Sequence, residues 1–407
     1  MNTTTLRLLW VLFFLHFFVY PCELQAQSLD LAALTKNGSV RIENIDGTPV
    51  LRHRDDEHFI PASVLKIATA FCALEILGPE YRYETIFSYD SKGTLFVQGS
   101  GDPSLVSETL DSIASNLSQK ITKVDRIVVD TSIFSDEIAI DGSERSLNPY
   151  DAKNAAFVAN FSSAFVTHTR QGIVNSAEPQ TPLTPRARSA GALLPRGKTE
   201  RVNLSKTWKE GVLYSGELFS AFLRKHGIVG TMNVSLGQRA QNAPVLLRHR
   251  SPSDLGEIVR GMLKFSTNFT ANQLFLTLGA HQYGIPATVP KAQEAMRVCM
   301  TDRVGWADVH IEEGSGLSRK TRVSAKQMTQ LLSSFERYKS LLPEEDGFLA
   351  KTGSLRGVNS LAGYFTLDGQ IAPLRFAILI NAEVPHLYKY KVGREIRSFL
   401  NSQKTPK

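Results

Sequence analysis

Pro61-Ala-Ser-Val-Leu-Lys-Ile67 decides the fold of this 407-residue sequence, because it contains the chain's single Ser-x-x-Lys pattern, Ser63 to Lys66. A serine hydroxyl is a weak nucleophile and needs a base within hydrogen-bond reach. Side chains three residues apart share one face of a helix. Apolar residues recur at helical spacing as far as Gly78, which favours a helix end. The pattern therefore predicts a helix over residues 63–77 on which the serine and the lysine lie together.

By itself this pattern is weak, since a chain of this length contains on the order of one such tetrapeptide by chance. A lone Ser63 is equally well explained as a helix N-cap. Lys351-Thr-Gly353 is a stronger signal, expected by chance in about one such chain in ten. It precedes residues 361–367, an apolar run typical of a strand. A strand-edge lysine, a hydroxyl and a glycine that admits a ligand backbone suit carboxylate binding, and the alternative is a surface turn.

Two Ser-x-Asn sequences lie between these patterns. Ser266-Thr-Asn268 falls between two predicted helices, where a short loop can aim both side chains into a cleft. Ser146-Leu-Asn148 lies in a stretch that contains proline and glycine, which is typical of a turn. We therefore favour Ser266 and Asn268 as the third element.

The order Ser-x-x-Lys, Ser-x-Asn, Lys-Thr-Gly is that of β-lactamases and penicillin-binding proteins. Three further segments sharpen the resemblance: Gln98-Gly-Ser-Gly-Asp-Pro-Ser-Leu105, Gly314-Ser-Gly-Leu-Ser-Arg319 and Leu361-Ala-Gly-Tyr364. With them the chain resembles the class C low-molecular-mass penicillin-binding proteins, the D-alanyl-D-alanine carboxypeptidase/endopeptidases, over residues 30–385. The resemblance implies an α/β (α+β) transpeptidase domain, an antiparallel sheet flanked by helices, interrupted by an inserted mostly β domain.

For catalysis, the resemblance implies an acyl-enzyme on Ser63, with Lys66 as the base that takes the serine proton. A free lysine has a pKa of about 10.4, so burial and a second cation must push Lys66 toward its neutral form. Ser266 would pass a proton to the leaving amine, and Asn268 would hold the substrate amide. The implied substrate-binding residues are Lys351, Thr352, Gly353 and Ser354.

An oxyanion hole is implied at the backbone N–H groups of Ser63 and Ser354. For Asp151 two interpretations stay open, an acid near Lys66 as in relatives or a plain turn residue. The sequence also departs from the family pattern. Glu313 stands where an Asp is usual, and Asn272-Gln273 stands where a Glu is common.

The implied substrate is peptidoglycan with stem peptides that end in D-alanyl-D-alanine, and β-lactam antibiotics are the implied covalent inhibitors. Two alternatives stay open: a catalytically silent peptidoglycan-binding protein of the same fold, and a β-lactamase. The intact trio of motifs argues against the first, and the long middle insertion against the second. No metal or cofactor is expected, because the histidines and cysteines show no metal-ligand spacing.

Local patterns divide the chain into a peptidase domain, residues 27–88 and 249–407, and an inserted accessory domain, residues 89–248. For the first domain they predict a hairpin over 39–52, helices over 63–77, 252–262, 269–278 and 389–401, and strands over 361–367 and 375–381. The second of these helices is expected to begin at a Ser251-Pro252 cap. Between them the patterns predict strands over 85–89, 94–98 and 126–130, a loop over 177–201 and a helix over 214–227.

The N-terminus is typical of a signal peptide, residues 1–26. Arg7 is the sole charge before the apolar run Leu8–Tyr20, which is too short to span a bilayer. An uncleaved anchor is the alternative, and Pro21 fits poorly with a lipoprotein site at Cys22. The chain is therefore predicted to be exported to the periplasm.

The net charge of +7 suits an anionic envelope polymer, and it is too scattered to indicate nucleic acid. The last helix has a basic side that allows peripheral contact with the envelope, but packing of this helix on the sheet is the favoured interpretation. Oligomeric state is not predicted. Cys72 and Cys299 remain after signal removal, and each is expected to be a small buried apolar residue rather than half of a bridge.

Overall fold

The computed structural model describes residues 29–403, so the predicted signal segment lies outside the described residues. The strands, in chain order, are β1 (Gly38–Glu43), β2 (Pro49–His53), β3 (His58–Phe59), β4 (Glu84–Tyr89), β5 (Thr94–Gln98), β6 (Arg126–Asp130), β7 (Ser163–His168), β8 (Val174–Ser176), β9 (Lys198–Asn203), β10 (Asn233–Leu236), β11 (Val245–Arg250), β12 (Val323–Ser324), β13 (Glu344–Glu345), β14 (Phe348–Leu355), β15 (Val358–Phe365) and β16 (Leu374–Ile380).

The helices, in chain order, are α1 (Leu31–Thr35), α2 (Lys66–Leu77), α3 (Ser107–Ser118), α4 (Pro185–Gly191), α5 (Trp208–Lys225), α6 (Leu255–Phe265), α7 (Asn268–Tyr283), α8 (Val289–Cys299), α9 (Ala325–Phe335) and α10 (Tyr388–Ser402). Single 3₁₀ turns precede α2 at Ala62–Leu65 and lie at Pro149–Asp151. Within residues 29–403, no helix combines the length and the apolar character needed to cross a membrane.

A six-stranded antiparallel sheet forms the centre of the peptidase domain, in the order β13-β14-β15-β16-β1-β2. Every residue of β15 and β16 is buried, because helices cover both faces of these central strands. α1 and α10 pack on one face, and α2, α7 and α9 belong to the core on the other. The predicted hairpin is confirmed as β1 and β2, and the predicted C-terminal strands are β15 and β16. This sheet positions β14, which carries Lys351-Thr-Gly353, beside the start of α2.

The inserted region contains a second sheet, in the order β10-β6-β5-β4-β11. The chain enters it through β4 and leaves it through β11, which pair with each other next to the predicted boundaries at residues 89 and 248. β6 pairs in parallel with β5 and with β10, and α3 and α5 contribute to the same core. The insert is therefore mixed α/β rather than mostly β as expected, because helical crossovers are what connect parallel neighbouring strands.

Two local predictions were wrong. Residues 177–201 were expected to form a loop, but Thr184 caps α4 with Pro185 in the first turn, and β9 begins at Lys198. The prolines there start a helix instead of excluding one. The cap of α6 is Asp254, not Ser251, because Asp254 and Glu257 form a reciprocal capping box.

Cys72 and Cys299 form a disulfide, with 6.0 Å between their Cα atoms. The expectation of two unpaired thiols was therefore wrong, although both residues are buried as predicted. The bridge joins α2 to α8 across 227 residues of sequence. Only the packing of these two helices brings the sulfurs together, which is why two isolated cysteines gave no pattern to recognise.

Candidate active site

Ser63 and Lys66 lie together at the start of α2, as the spacing predicts. Ser63 is in the 3₁₀ turn Ala62–Leu65, and Lys66 is the first residue of the α-helix. The Nζ atom of Lys66 is 2.8 Å from the Ser63 hydroxyl oxygen. The helix end places developing negative charge near the positive end of the backbone dipole.

Lys66 is fully buried, with 0% of its surface exposed. Its Nζ contacts two further oxygens, Asn268 Oδ1 at 2.8 Å and the Ser315 carbonyl at 2.7 Å. Burial, with help from the Lys351 cation, holds the pKa of Lys66 well below its usual value, and the Glu313 carboxylate opposes this. These two oxygens can only accept hydrogen bonds, so they take both N–H groups of a neutral amine. The nitrogen lone pair then faces the Ser63 hydroxyl, as a general base requires.

Ser266 and Asn268 occupy the junction between α6 and α7. Ser266 ends α6 in the left-handed conformation, with φ of 56°, and Asn268 begins α7. Both residues line a cavity of about 690 Å³ that Ser63 also lines. The short helix–helix junction thus brings the favoured Ser-x-Asn element to the same cavity as Ser63.

The predicted substrate-binding strand β14 presents alternate residues to this cavity. Thr352 and Ser354 line it. Lys351 is only 2% exposed and donates a hydrogen bond from Nζ to the Thr352 carbonyl at 2.9 Å. Burial lowers the pKa of Lys351 to about 8, with a smaller lowering by Lys389 and an opposing effect of Glu345. Lys351 therefore supplies positive charge from beneath the cavity surface rather than from its wall.

Gly353 explains the glycine of the Lys-Thr-Gly pattern. A Cβ atom built on Gly353 would lie 2.7 Å from the Pro61 carbonyl oxygen and 3.1 Å from the Ser63 nitrogen. Only glycine lets β14 run this close to the turn that carries the nucleophile. Ser63 and Ser354, whose backbone N–H groups are the predicted oxyanion hole, both line the cavity.

Lys389 is a site residue that the sequence analysis missed. It lies in the first turn of α10 with 1% of its surface exposed. Its Nζ donates to Ser354 Oγ at 2.5 Å and to the Gly353 carbonyl at 3.3 Å. Burial lowers the pKa of Lys389 to about 8 against the raising effect of Glu345. A lone lysine in a C-terminal helix carries no motif, so only the packing of α10 under β14 identifies it.

Glu313 is buried and organises the loop that follows it. Its carboxylate accepts hydrogen bonds from Ser315 N at 2.8 Å, Ser315 Oγ at 2.6 Å and Leu317 N at 2.7 Å. This loop supplies the Ser315 carbonyl that contacts Lys66. The departure from the usual Asp therefore keeps a carboxylate in place. Glu313 affects Lys66 by fixing the loop that carries the Ser315 carbonyl and by its negative charge.

Asp151 does not contact Lys66. It accepts hydrogen bonds from Glu144 N at 2.9 Å and Ser146 Oγ at 2.5 Å, and it lines the outer part of the cavity. Asn148 Oδ1 accepts from Tyr150 N at 3.0 Å, which caps the turn Pro149–Asp151. The turn interpretation therefore fits both Asp151 and the second Ser-x-Asn sequence.

The other departure, Asn272-Gln273, is structural. Asn272 Oδ1 accepts a hydrogen bond from Gly314 N at 2.8 Å, which fixes the same loop as Glu313. Gln273 Nε2 donates to the carbonyls of Gly101 and Ala155, at 2.9 and 3.0 Å. These bonds join α7 to the inserted region, so neutral amides here replace a carboxylate without an unpaired buried charge.

Comparison with known proteins identifies the family of the chain. The model of the D-Ala-D-Ala carboxypeptidase 3 (S13) family matches residues 22–184 and 187–343. The chain is 26% identical over 422 residues to the D-alanyl-D-alanine carboxypeptidase of Actinomadura sp. (strain R39), covering 85% of this chain and 77% of that protein. It is 24% identical over 391 residues to the D-alanyl-D-alanine carboxypeptidase DacB of Haemophilus influenzae, covering 80% and 81%.

Solved structures show the same fold. The chain resembles penicillin binding protein 4 (dacB) from Haemophilus influenzae with a TM-score of 0.76 and 21% identity, over 91% of this chain and 100% of that one. A further structure of that protein, at a TM-score of 0.67, 22% identity and the same coverage, holds a novel β-lactam. Bd3459, a predatory peptidoglycan endopeptidase from Bdellovibrio bacteriovorus, has a TM-score of 0.56 at 15% identity, over 91% and 93%.

These matches confirm the predicted family and fold class. The family model covers most of the chain, including the segments that carry Ser63, Lys66, Ser266 and Asn268. The chain therefore belongs to the D-Ala-D-Ala carboxypeptidase 3 (S13) family and is, as predicted, a DD-carboxypeptidase of the low-molecular-mass class C penicillin-binding proteins.

Proposed function

We propose that this DD-carboxypeptidase works through an acyl-enzyme on Ser63, and that it accepts both terminal D-alanine and D-alanyl cross-links of peptidoglycan. The observation that carries the proposal is the contact between Lys66 and Ser63, with both other faces of the Lys66 nitrogen occupied by acceptor oxygens. This arrangement aims a lone pair at the hydroxyl proton.

Acylation begins when Lys66 takes the Ser63 proton and Ser63 Oγ attacks the carbonyl carbon of the penultimate D-alanine. The carbonyl oxygen becomes an oxyanion between the backbone N–H groups of Ser63 and Ser354, and each such donor is worth about 3 kcal/mol in acyl transfer. Thr352 binds the terminal carboxylate at the cavity wall, with the Lys351 charge behind it. Lys351 of β14 and Lys389 of α10 are both buried behind this wall, so the electrostatic potential at the wall is positive.

Collapse of the tetrahedral intermediate breaks the C–N bond and leaves an ester on Ser63. Lys66 returns the proton it took from Ser63 to the leaving amine through Ser266, which also lines the cavity. Water then attacks the ester carbonyl and gives a proton to Lys66, and Lys66 passes that proton to Ser63 Oγ as the acyl C–O bond breaks. The products are a shortened stem peptide, a released amine and the regenerated Ser63 hydroxyl.

A labelling experiment tests the role of Ser63. Wild-type protein should form a covalent adduct with a fluorescent penicillin, and Ser63→Ala should form none. Ser91→Ala, which removes an exposed hydroxyl in the turn between β4 and β5, is the matched control and should label normally. An adduct that survives Ser63→Ala would refute the proposal.

Mass spectrometry of muropeptides separates the remaining functions. Loss of D-alanine from pentapeptides shows carboxypeptidase activity, and conversion of cross-linked dimers to monomers shows endopeptidase activity. A stable penicillin adduct without either product would indicate a catalytically silent wall-binding protein. Rapid release of hydrolysed penicillin would indicate a β-lactamase.

We further propose that the protein is exported through residues 1–26 and acts in the periplasm. The disulfide between Cys72 and Cys299 supports an oxidising compartment, because disulfides persist there and are rare in the cytosol. A fusion of residues 1–26 to a reporter that is active only after export tests this, and a silent fusion would contradict it.

A further inference from the structure

A segment of the insert, residues 140–151, separates the active-site cavity from two further cavities. The first, which we call the insert groove, has a volume of about 580 Å³ and shares Glu144 as a wall with the active-site cavity. The second has a volume of about 430 Å³ and shares Lys206 with the insert groove. A continuous set of concave surfaces therefore leads from Ser63 across the inserted region.

The insert groove is cationic. Its basic side chains are Arg145, Lys153, Lys206 and Lys209, against the carboxylates of Asp136 and Glu144. Among the described residues, Arg145, Lys206 and Lys209 are exposed and form no salt bridge. Lys153 is held to the wall of the groove, since its Nζ donates to Ser143 Oγ at 2.7 Å. The surplus of positive charge suits an anionic ligand.

The groove also has an aromatic and apolar part. Trp208 is half-buried, and its indole N–H donates to the Asp136 carbonyl at 3.0 Å, which fixes the orientation of the ring. Lys209 Nζ lies 5.5 Å from the Trp208 ring centroid. Ile138 and Ile140 complete this part of the wall. A fixed indole beside several cations suits a ligand that combines sugar rings or apolar side chains with carboxylates.

We propose that the insert groove binds the anionic glycan and stem-peptide part of the same peptidoglycan strand whose D-alanine end lies at Ser63. The proposal rests on the proposed function, because that function fixes what occupies the adjoining cavity. Stem peptides carry free carboxylates, and the sugar rings have apolar faces, so both parts of the groove find a partner. Residues 206–209 line the insert groove and not the cavity of Ser63, so we expect the groove to favour polymer over a short peptide that fills only the active-site cavity.

The test compares a polymer with a short substrate. Lys206→Glu/Lys209→Glu reverses two charges in the groove, and Lys92→Glu/Lys120→Glu reverses two exposed charges elsewhere in the insert, outside all three cavities. Purified sacculi and a soluble diacyl-L-Lys-D-Ala-D-Ala tripeptide are the substrates. We expect the groove variant to lose about tenfold in kcat/KM on sacculi. Its rates on the tripeptide and with fluorescent penicillin should equal those of the control.

Binding is measured separately from turnover. In a Ser63→Ala background, co-sedimentation with sacculi should fall for the groove variant and for Trp208→Ala, and wild-type binding should weaken as salt increases. Equal sedimentation of groove and control variants would overturn the proposal, as would an equal loss on tripeptide and sacculi. Absence of turnover in the wild type would instead contradict the proposed function, and sedimentation would still decide whether the groove binds.

Discussion

The buried lysines around the active-site cavity and the exposed lysines of the insert groove have the same side chain in opposite surroundings. Lys66, Lys351 and Lys389 are buried, held by hydrogen bonds and lowered in pKa. Lys206 and Lys209 are exposed to solvent. An exposed lysine is a cation that can attract many anionic ligands. Burial instead makes the lysine a base or a charge that is fixed in place by its hydrogen-bond partners. The two regions are expected to respond differently to the same kind of substitution.

The largest effect is expected at Lys66. Lys66→Met removes the base, so the rate of penicillin acylation should fall about a thousandfold, within the range for general-base catalysis. Lys264→Met removes an exposed lysine of α6 and should leave the rate unchanged. Stopped-flow or gel labelling measures the rate. A Lys66→Met protein that acylates at the normal rate would erase the distinction between buried and exposed lysines.

Glu313→Gln tests the charge that supports the buried base. The amide replaces an acceptor oxygen with an N–H group that faces the donors of Ser315 and Leu317, so we expect a loss of about 1–3 kcal/mol in the free energy of unfolding. The acylation rate should also fall, because the Ser315 carbonyl shifts away from Lys66. Chemical denaturation measures the first effect. Glu294→Gln, at a half-exposed carboxylate of α8 that pairs with Arg297, should change stability by less than about 0.5 kcal/mol.

Lys389→Met tests whether a buried cation without a motif contributes to binding. Lys389 donates to Ser354 Oγ, so the Ser354 hydroxyl hydrogen is free to point into the cavity toward a substrate carboxylate. We expect KM for the tripeptide to rise about tenfold, with kcat changed less, as fits the loss of one charge-assisted hydrogen bond. Lys391→Met, an exposed lysine of the same helix, is the control. A fall in kcat with constant KM would contradict the binding role.

The smallest effect is a pH dependence of substrate binding. Lys351 and Lys389 have pKa values of about 8, so both are cationic below that pH and lose their charge as pH rises through it. KM for substrates with a terminal carboxylate should therefore rise a few-fold between about pH 7 and 9. The charged groups that act on this pair are Glu345, which favours the cations, and Lys351 and Lys389 themselves. A constant KM over this range would show that the charges do not reach the ligand.

The residues of the candidate active site could be predicted because they occur in short sequence patterns. Ser63 and Lys66 are three residues apart on one helix, and Lys351-Thr-Gly353 lies on one strand, so local geometry already places their side chains. The outer features were not predictable. Lys389, the cysteine pair and the insert groove depend on contacts between elements far apart in sequence, and no local spacing encodes them.

The two wrong local predictions, one in the insert and one in the peptidase domain, have a related cause. Pro185 contributes to the loop prediction for residues 177–201, but because it follows the N-cap Thr184 it lies in the first turn of α4. Asp254 outcompetes Ser251 as the cap of α6 because Glu257 returns a second hydrogen bond. In both cases the identity of the preceding or following residue decided the outcome rather than the composition of the stretch.

The close passage of β14 over the nucleophile has a consequence for drug resistance. Any side chain at Gly353 would collide with the backbone around Ser63, and under the proposed mechanism it would move apart the two N–H donors that polarise the substrate carbonyl. Under the proposed mechanism, a β-lactam would place its own carbonyl between the same donors. A substitution at Gly353 that slows acylation by the antibiotic would therefore slow the reaction with peptidoglycan as well. Resistance through this position would cost the enzyme its own activity.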